Sequence, residues 1–550
     1  MKLPVALADI LDHQPVALRF GTSGRRGLLK DLSQLEVYLN ALAEIEFLKT
    51  LPPGEGGIVA GDDFYIAADL RPSSTRILES GRGGLLQAIF RAVADSGLCP
   101  VYLGTIPTPA LTAHAIAKGK GSIMVTGSHI PFDRNGFKTN TAIGELLKHH
   151  EAPIADYVER VRARLYAEGS EHSAFTSSGM LKEGGSELPE VESDAAEAYV
   201  ARYLEFFGEG ALAGLELLVY QHSAVGRDLL PLILEKLGAR VECVGRSDVF
   251  VPIDTENVDQ RCLETIQELL DTARIGKRGF DAVVSTDGDS DRPLVLAVNP
   301  KTGNVDFCGG DLLGMITAEF LQPDAVVVPV SCNDGIDRGS LKDVVEAKTR
   351  IGSPFVIRGM LDAIARGRRR VVGWEANGGF LLGSPIEKEG RYLSALPTRD
   401  AMLPIIATLA YARSQRLGLH EVLQKLPPRY GRAALLKDFS REKSDKILST
   451  LRVDQRDVSQ KSPVFQAWAE CITRYFPPSL GFGVPVGVDC TDGLRIYFEG
   501  GDVAHLRPSG NADEFRIYAV SDSKSRAAEI VALGVKEPDG ILRTLERSLV

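Results

Sequence analysis

The sequence predicts a multidomain α/β protein that ends in a smaller α+β domain, and three observations carry the prediction. At 550 residues the chain is too long for one core, and at about 150 residues per domain it implies three or four. Apolar β-rich runs alternate with helically spaced ones over most of the chain. Strand, helix, strand in that rhythm argues for parallel βαβ units. Near the C-terminus the pattern changes to short β-like runs joined by Gly500-Gly501 and by a loop at Arg507, which reads as α+β.

Taken in order, Leu39, Leu42, Ile45 and Leu48 have helical spacing and predict a helix over 35–48. Residues 64–68 read as a strand, 84–94 as a helix, 100–103 as a strand, and 123–125 as a buried strand. Residues 169–192, rich in Gly, Ser and Glu, predict a linker or surface excursion after the first domain. A second βαβ series follows: helix 194–207, strand 215–220, helix 228–237, strand 240–244 and the apolar strand 282–284. A third has helix 311–320, strand 325–330, helix 355–365 and strand 370–373. The last segment has strands at 494–498, 503–506 and 515–520, then a helix over 523–532.

Bulk properties exclude several classes. A net charge of −10 leaves no nucleic-acid footprint, and says nothing against a small anionic ligand, which local clusters bind. Seven cysteines, an odd number without CxxC spacing, fit buried thiols in a reducing cytosol. Residues 1–14 include Asp9, Asp12 and His13 and lack the build of a signal peptide. No apolar run approaches the roughly 18 residues of a membrane span, so no membrane partner is expected.

Two loops carry candidate chemistry. Residues 121–138 run from an apolar strand into small and turn-forming residues around Ser128. A serine just past a strand's carboxyl end lies where open α/β sheets place their ligands. His129 could orient its hydroxyl, and Lys138 could supply charge or a proton; a polar turn that merely closes the strand has the same pattern. The second loop, Ser285-Thr286-Asp287-Gly288-Asp289-Ser290-Asp291-Arg292, again follows an apolar strand. Asp287, Asp289 and Asp291 at alternate positions make a hard-cation site for Mg²⁺. A calcium EF-hand is excluded, because its sixth and twelfth positions would here be Arg292 and Val298. An acidic solvated turn is the bland alternative, but three carboxylates side by side repel, and Arg292 alone cannot neutralise them.

Four stretches, spanning nearly the whole chain, together resemble the α-D-phosphohexomutase family. They are Phe20-Gly21-Thr22-Ser23-Gly24-Arg25-Arg26-Gly27 with the serine loop, Asp287-Gly288-Asp289-Ser290-Asp291-Arg292, Trp374-Glu375-Ala376-Asn377-Gly378-Gly379 and Arg507-Pro508-Ser509-Gly510-Asn511. They stand in the family's order. The resemblance implies three similar α/β domains with mixed sheets plus a C-terminal α+β domain, arranged around a central cleft. Residues 1–168 would carry the phosphoserine loop, 190–300 the metal loop, 301–422 the sugar loop and 430–550 the phosphate loop.

The resemblance also implies an activity: a phosphoryl group moves between the 1- and 6-positions of a hexose phosphate, through a phosphoserine at Ser128 and a captive hexose bisphosphate. Asp287, Asp289, Asp291 and the Ser128 phosphate would hold Mg²⁺, with Arg292 as a second cation. Lys138 matches a proposed general base or acid, which needs a lowered pKa beside cations such as Arg26. Arg26 matches the first loop's arginine; Arg25 sits at a variable position and reads as a surface residue. Arg71 matches an arginine that supports the serine loop. Glu375 and Asn377 match the sugar loop, Ser353 the loop that discriminates sugar orientation, and Arg507, Ser509, Gly510 and Asn511 the anion clamp.

The chain departs from the family's usual forms in several places. Ile130 stands for Asn, Trp374 for Gly, Asn377 for Ser, Gly379 for a closing His, and Asn511 for Thr. The Thr126-Gly127-Ser128-His129 form favours mannose phosphate, with phosphoglucomutase or phosphoglucosamine mutase as the near alternatives. A non-catalytic sugar-phosphate binder and a metal-dependent phosphatase are the other classes. A monomer or homodimer is expected.

Overall fold

The computed structural model describes residues 5–183, 187–256, 258–275, 279–454, 460–509 and 513–550. Three mixed sheets, one five-stranded antiparallel sheet and a two-stranded antiparallel ribbon, Ile386–Lys388 with Arg391–Leu393, organise them. In the first, Asp63–Ala68 runs parallel to both Cys99–Thr105 and Ser122–Val125, and Arg134–Thr141 returns antiparallel beside the latter. The second repeats the pattern: Glu216–His222 is parallel to Arg240–Arg246 and to Ala282–Thr286, and Pro293–Val298 returns antiparallel. In the third, Ala325–Val327 is parallel to Val371–Trp374, and Phe380–Leu382 returns antiparallel. No repeat of residue identity accompanies this repeat of topology, yet each functional loop has the same address. The serine, metal and sugar loops all join the last parallel strand to the strand that reverses beside it.

Burial on both faces explains why these strands read as continuous apolar runs. Alternate residues point to opposite faces. Tyr65, Ala67, Leu217, Val219, Val326 and Val328 face one shared central core. Their neighbours Phe64, Ile66, Leu218, Tyr220, Ala325 and Val327 face separate outer cores, one per domain. The first three domains are therefore fused through apolar packing.

The fourth domain is different. Its sheet is wholly antiparallel, in the order Tyr430–Lys437, Glu514–Ser521, Val503–Pro508, Leu494–Phe498, Pro485–Asp489, and its core forms a cluster of its own. Polar contacts join it to the third domain. Arg429 donates to both oxygens of Asp334, at 2.7 and 2.8 Å, and to Asp522 at 2.7 Å. Asp492 accepts from the Ile351 amide at 3.0 Å, and Arg495 donates to the Cys332 carbonyl at 3.3 Å.

The structure corrects two expectations about the first domain. Residues 169–183 are a strap rather than a linker: Leu35 N donates to Gly179 O at 2.8 Å, and Phe175 is buried against Tyr38. Arg25 is not a surface residue. It is buried, donating to Glu44 at 2.5 Å and to Leu18 O at 2.6 Å beneath the helix Gln34–Leu48. That helix is buried nearly all round, because its acids are paired internally: Glu44 by Arg25 and Thr139, Glu36 by Arg162 and Tyr166. Helices Gln260–Ala273, Arg441–Leu451, Pro463–Tyr475 and Ile541–Leu549 are further additions. Among the described residues no helix is long and apolar enough to cross a membrane. All seven cysteines are free, but only Cys308, Cys332 and Cys490 are the buried thiols expected; Cys99 and Cys243 are exposed, and Cys262 and Cys471 are half-buried.

Candidate active site

Ser128 has φ 53°, a left-handed conformation that a side-chain-bearing residue keeps only when its surroundings hold it. The holder is Arg71. Its buried guanidinium donates to the carbonyls of Ser128 (2.9 Å), Ile130, Pro131 (2.8 Å) and Arg134 (2.9 Å), so the serine loop is wrapped around one cation. Asp69 pairs with Arg71 Nε at 3.3 Å and accepts from Thr126 Oγ1 at 2.8 Å and Gly127 N at 3.2 Å. Gly127 is demanded by this packing, since a Cβ there would lie 2.6 Å from the guanidinium carbon.

The metal loop meets this loop directly. A Cβ on Gly288 would lie 2.6 Å from the Ser128 carbonyl oxygen, so only glycine permits the approach. Ser128 Oγ donates to Asp287 Oδ2 at 2.7 Å. Asp287, Asp289 and Asp291 are buried, and one ligand oxygen from each lies within 4.8 Å of the others. Lys138 Nζ reaches Asp289 at 2.6 Å and Asp291 at 2.7 Å, and Thr108 Oγ1 donates to Asp289 at 2.7 Å. After these bonds Oδ1 of Asp289 and Oδ1 of Asp291 remain buried without a hydrogen-bond donor. Bare buried carboxylate oxygens are costly. Two of them within a cluster of three carboxylates, one of which holds a serine hydroxyl, fit a hard divalent cation in an all-oxygen shell.

The surroundings pull the three carboxylates in different directions. Burial, then Asp289 and Asp291, push Asp287 well above the ordinary carboxylate range. Burial also pushes Asp289 and Asp291 upward. Lys138 and Thr108 outweigh this for Asp289, and Arg399, Lys138 and Arg292 for Asp291, so both are held low. His129 Nδ1 lies 3.3 Å from Ser128 Oγ. Burial, with Arg292 and Arg26 beside it, drives its pKa well below the usual value, so the imidazole is neutral. Arg26 is lowered to about 10 by burial and by Arg292. Arg292 itself stands 3.6 Å from Asp291 and 3.9 Å from Asp254. Serine, three aspartates, histidine, lysine and two arginines thus converge on one point.

The sugar loop is the five-residue connection between Val371–Trp374 and Phe380–Leu382. Asn377 closes it, its Oδ1 accepting from Gly379 N at 2.9 Å, while its carbonyl accepts from Thr255 Oγ1 of the second domain at 2.9 Å. Glu375 accepts from Arg399 Nη1 at 2.9 Å. Ser353, first residue of the helix Ser353–Ala365, donates to Glu145 at 2.6 Å and accepts from Arg399 Nη1 at 3.0 Å. Arg507 lies on a strand of the fourth sheet, opposite Arg516, with its Nε 3.1 Å from Asp492. Ser509 is buried beside it. Gly510 and Asn511 lie outside the described residues.

One comparison decides the family. A phosphomannomutase of Sinorhizobium fredii (strain NBRC 101917 / NGR234) is 36% identical over 525 residues, covering 94% of this chain and 98% of that protein. The chain belongs to the phosphoglucomutase/phosphomannomutase family. Residues 17–164 match the family's alpha/beta/alpha domain I and residues 309–430 its alpha/beta/alpha domain III. A Salmonella muenchen phosphomannomutase is 37% identical over 516 residues, or 94% of each chain. Among solved structures, a phosphoglucomutase/phosphomannomutase family protein from Burkholderia thailandensis superposes with a TM-score of 0.64 at 17% identity, over 96% of this chain and 98% of that one. An Aspergillus fumigatus N-acetylphosphoglucosamine mutase in complex with GlcNAc-6P and magnesium gives 0.53 at 14% identity, over 98% of each. The protein is an enzyme of the phosphohexomutase kind, an isomerase that works by phosphoryl transfer.

Two departures from the family's motifs have physical explanations. Trp374 turns away from the cleft: it is buried, stacks on Phe380 at 5.9 Å, and fills the space over Gly314, where a Cβ would meet the indole at 2.5 Å. It is a core residue. Arg399 is the residue that sequence reasoning missed. It belongs to no motif, yet its Nε and Nη2 hold Asp291 at 3.0 and 2.8 Å while its Nη1 holds the sugar loop. The one signal for it was a gap, the glycine at 379. Arg516 and Glu256 were missed as well. Each becomes visible only when the fourth sheet or the loop beside Thr255 is brought to the cleft.

Proposed function

We propose that this mutase interconverts the 6- and 1-phosphates of a hexose, mannose phosphate above others, through a phosphate carried on Ser128 and a captive hexose bisphosphate. The observation that carries the reading is the Ser128 hydroxyl, 2.7 Å from Asp287 in a carboxylate cluster that has two buried oxygens with no donor. The likeness to two phosphomannomutases along 94% of the chain supports the choice of sugar.

In this reading the bond from phosphorus to Ser128 Oγ breaks as a bond to a sugar hydroxyl oxygen forms. The second transfer runs the other way, from the bisphosphate's other end back to Ser128. Asp287, Asp289 and Asp291 would hold Mg²⁺, which when bound supplies neutralisation of the charge on the transferring group. Arg292 and Arg26 add fixed cations on the same side. His129, neutral and in reach of Ser128 Oγ, orients the hydroxyl. Lys138, held in place by Asp289 and Asp291, would exchange the sugar hydroxyl's proton as general acid or base. Glu375 and Asn377 position the sugar, with Ser353 behind them. Arg507, Ser509, Gly510 and Asn511 clamp the phosphate that is not reacting. The seven free thiols accord with a cytoplasmic setting.

The test is phosphopeptide mapping of active enzyme, together with Ser128→Ala assayed with and without hexose bisphosphate. One phosphate per chain on Ser128, and loss of at least about a thousandfold in rate in the variant, is expected. A fully active Ser128→Ala protein ends the phosphoserine reading.

A further inference from the structure

Gly379 and Arg399 are two halves of one feature. The strands Phe380–Leu382 and Leu396–Asp400 are antiparallel neighbours, with Phe380 opposite Asp400, and at this end of the ladder the Arg399 side chain lies over Gly379. A Cβ at position 379 would lie 2.6 Å from Arg399 Cδ and 2.7 Å from its Cγ. A histidine at 379, the form that the family's motif commonly carries, and Arg399 in its present place therefore exclude each other. The resulting arginine is 2% exposed, and all three of its guanidinium nitrogens are engaged, on Asp291, Glu375 and Ser353. The charge of Glu375, the carboxylate of the sugar loop, is thus partly matched from within the protein, by a guanidinium that it shares with Asp291. A fixed cation stands beside it.

We propose that Arg399 is a specificity-determining residue, which fits the pocket to hexose phosphates with neutral ring substituents and turns away those bearing a ring ammonium, such as glucosamine 6-phosphate. The inference rests on the mutase reading and narrows its substrate class. An ion-paired carboxylate still accepts from sugar hydroxyls, because its second oxygen and remaining lone pairs are free to do so. It gains less from an ammonium group when a guanidinium 2.9 Å away already partly balances it. The ammonium group instead meets a like charge in a partly desolvated pocket, and such a repulsive element discriminates strongly between otherwise similar ligands.

The experiment compares mannose 6-phosphate, glucose 6-phosphate and glucosamine 6-phosphate on the full-length enzyme with Mg²⁺, beside Arg399→Gln and Arg399→Lys. The wild type should favour the better neutral sugar over the amino sugar by about a hundredfold in kcat/KM. Arg399→Gln should shrink that ratio by about tenfold or more, and Arg399→Lys should restore it, even where both variants lose absolute rate through Asp291. A wild-type ratio below about threefold, or a ratio unchanged in Arg399→Gln, overturns the inference. Should Arg399→Gln fail to fold, the wild type decides. Inhibition by glucosamine 6-phosphate, relative to glucose 6-phosphate, should strengthen as pH rises through the sugar amine's own pKa, and a flat ratio overturns the proposal. If no neutral hexose phosphate is isomerised, the mutase reading falls by itself. Calorimetric binding of the same three sugars then still judges Arg399, by whether the neutral ones rank first.

Discussion

Glu256 shows how the cleft acts on a single residue. Burial, then nearby Asp254, push its carboxyl up to about 7 from an ordinary 4.5, against the pull of Arg292 and Arg516. A carboxyl whose folded pKa is raised favours the folded state fully below its unfolded pKa, and that contribution is lost as pH rises through the folded value. Stability should therefore fall between about pH 4.5 and 7. The loss should be about 1–2 kcal/mol, because the side chain is only partly buried. Melting temperatures of wild type and Glu256→Gln across that range should converge at low pH and diverge at neutral pH, with the variant the more stable. Parallel curves would remove Glu256 as the cause. At the metal loop, Asp289→Asn keeps the side chain's shape but replaces one anionic ligand. Rate should drop by roughly a hundredfold or more with sugar KM little changed, since the lost interaction belongs to the transition state. Steady-state kinetics at saturating Mg²⁺ measures this, and activity undiminished by excess chelator would contradict it.

Among the elements, the three loop-bearing hairpins were readable because each pairs an apolar strand with an unusual run of polar residues, as at Val284 before Asp287 and at Gly373 before Glu375. What the neighbouring strands contribute was not readable. Arg399 sits in an ordinary five-residue strand, and only its position beside Gly379 gives it meaning. The strap was misread for a related reason. Gly, Ser and Glu around Phe175 and Met180 mask two residues that are buried in the fold, and a low average hydropathy hides isolated anchors. Removing one anchor tests the strap: Phe175→Ala should cost about 3–4 kcal/mol by lost burial and a cavity. Urea unfolding should show the loss as a lowered midpoint of the transition of the three fused domains. A change under about 1 kcal/mol would show that the strap rests on the domain without supporting it. Helix Gln260–Ala273 had legible apolar spacing in Ile266, Leu270 and Ala273, whereas the fourth domain's edge strands, Tyr430–Lys437 and Pro485–Asp489, are too mixed in composition to stand out.

At the scale of the molecule, three domains share an apolar core and the fourth is attached by ion pairs and hydrogen bonds. A polar junction of this kind permits rigid-body motion at low cost. Across that seam Asp492 touches Arg507 of its own domain and the Ile351 amide of the third together. Closing and opening of this domain would let a bisphosphate turn end for end while it stays captive. Arg507→Ala should then raise KM for hexose phosphate by on the order of a hundredfold, as for a lost charged hydrogen bond of about 2–3 kcal/mol. It should also make steady turnover depend on added hexose bisphosphate. Kinetics with and without the bisphosphate checks both effects, and a variant with ordinary KM and no such dependence would place the clamp elsewhere.

The mutual exclusion at positions 379 and 399 also has a meaning in evolutionary time. A lineage with a histidine at 379 cannot acquire Arg399 in its present place in one step, because the first change to arrive would meet an occupied space. The glycine has to come first, and a chain in that intermediate state has neither side chain in the pocket. Lineages on either side of that crossing are expected to keep the pair they inherited, so that the two positions vary together or not at all.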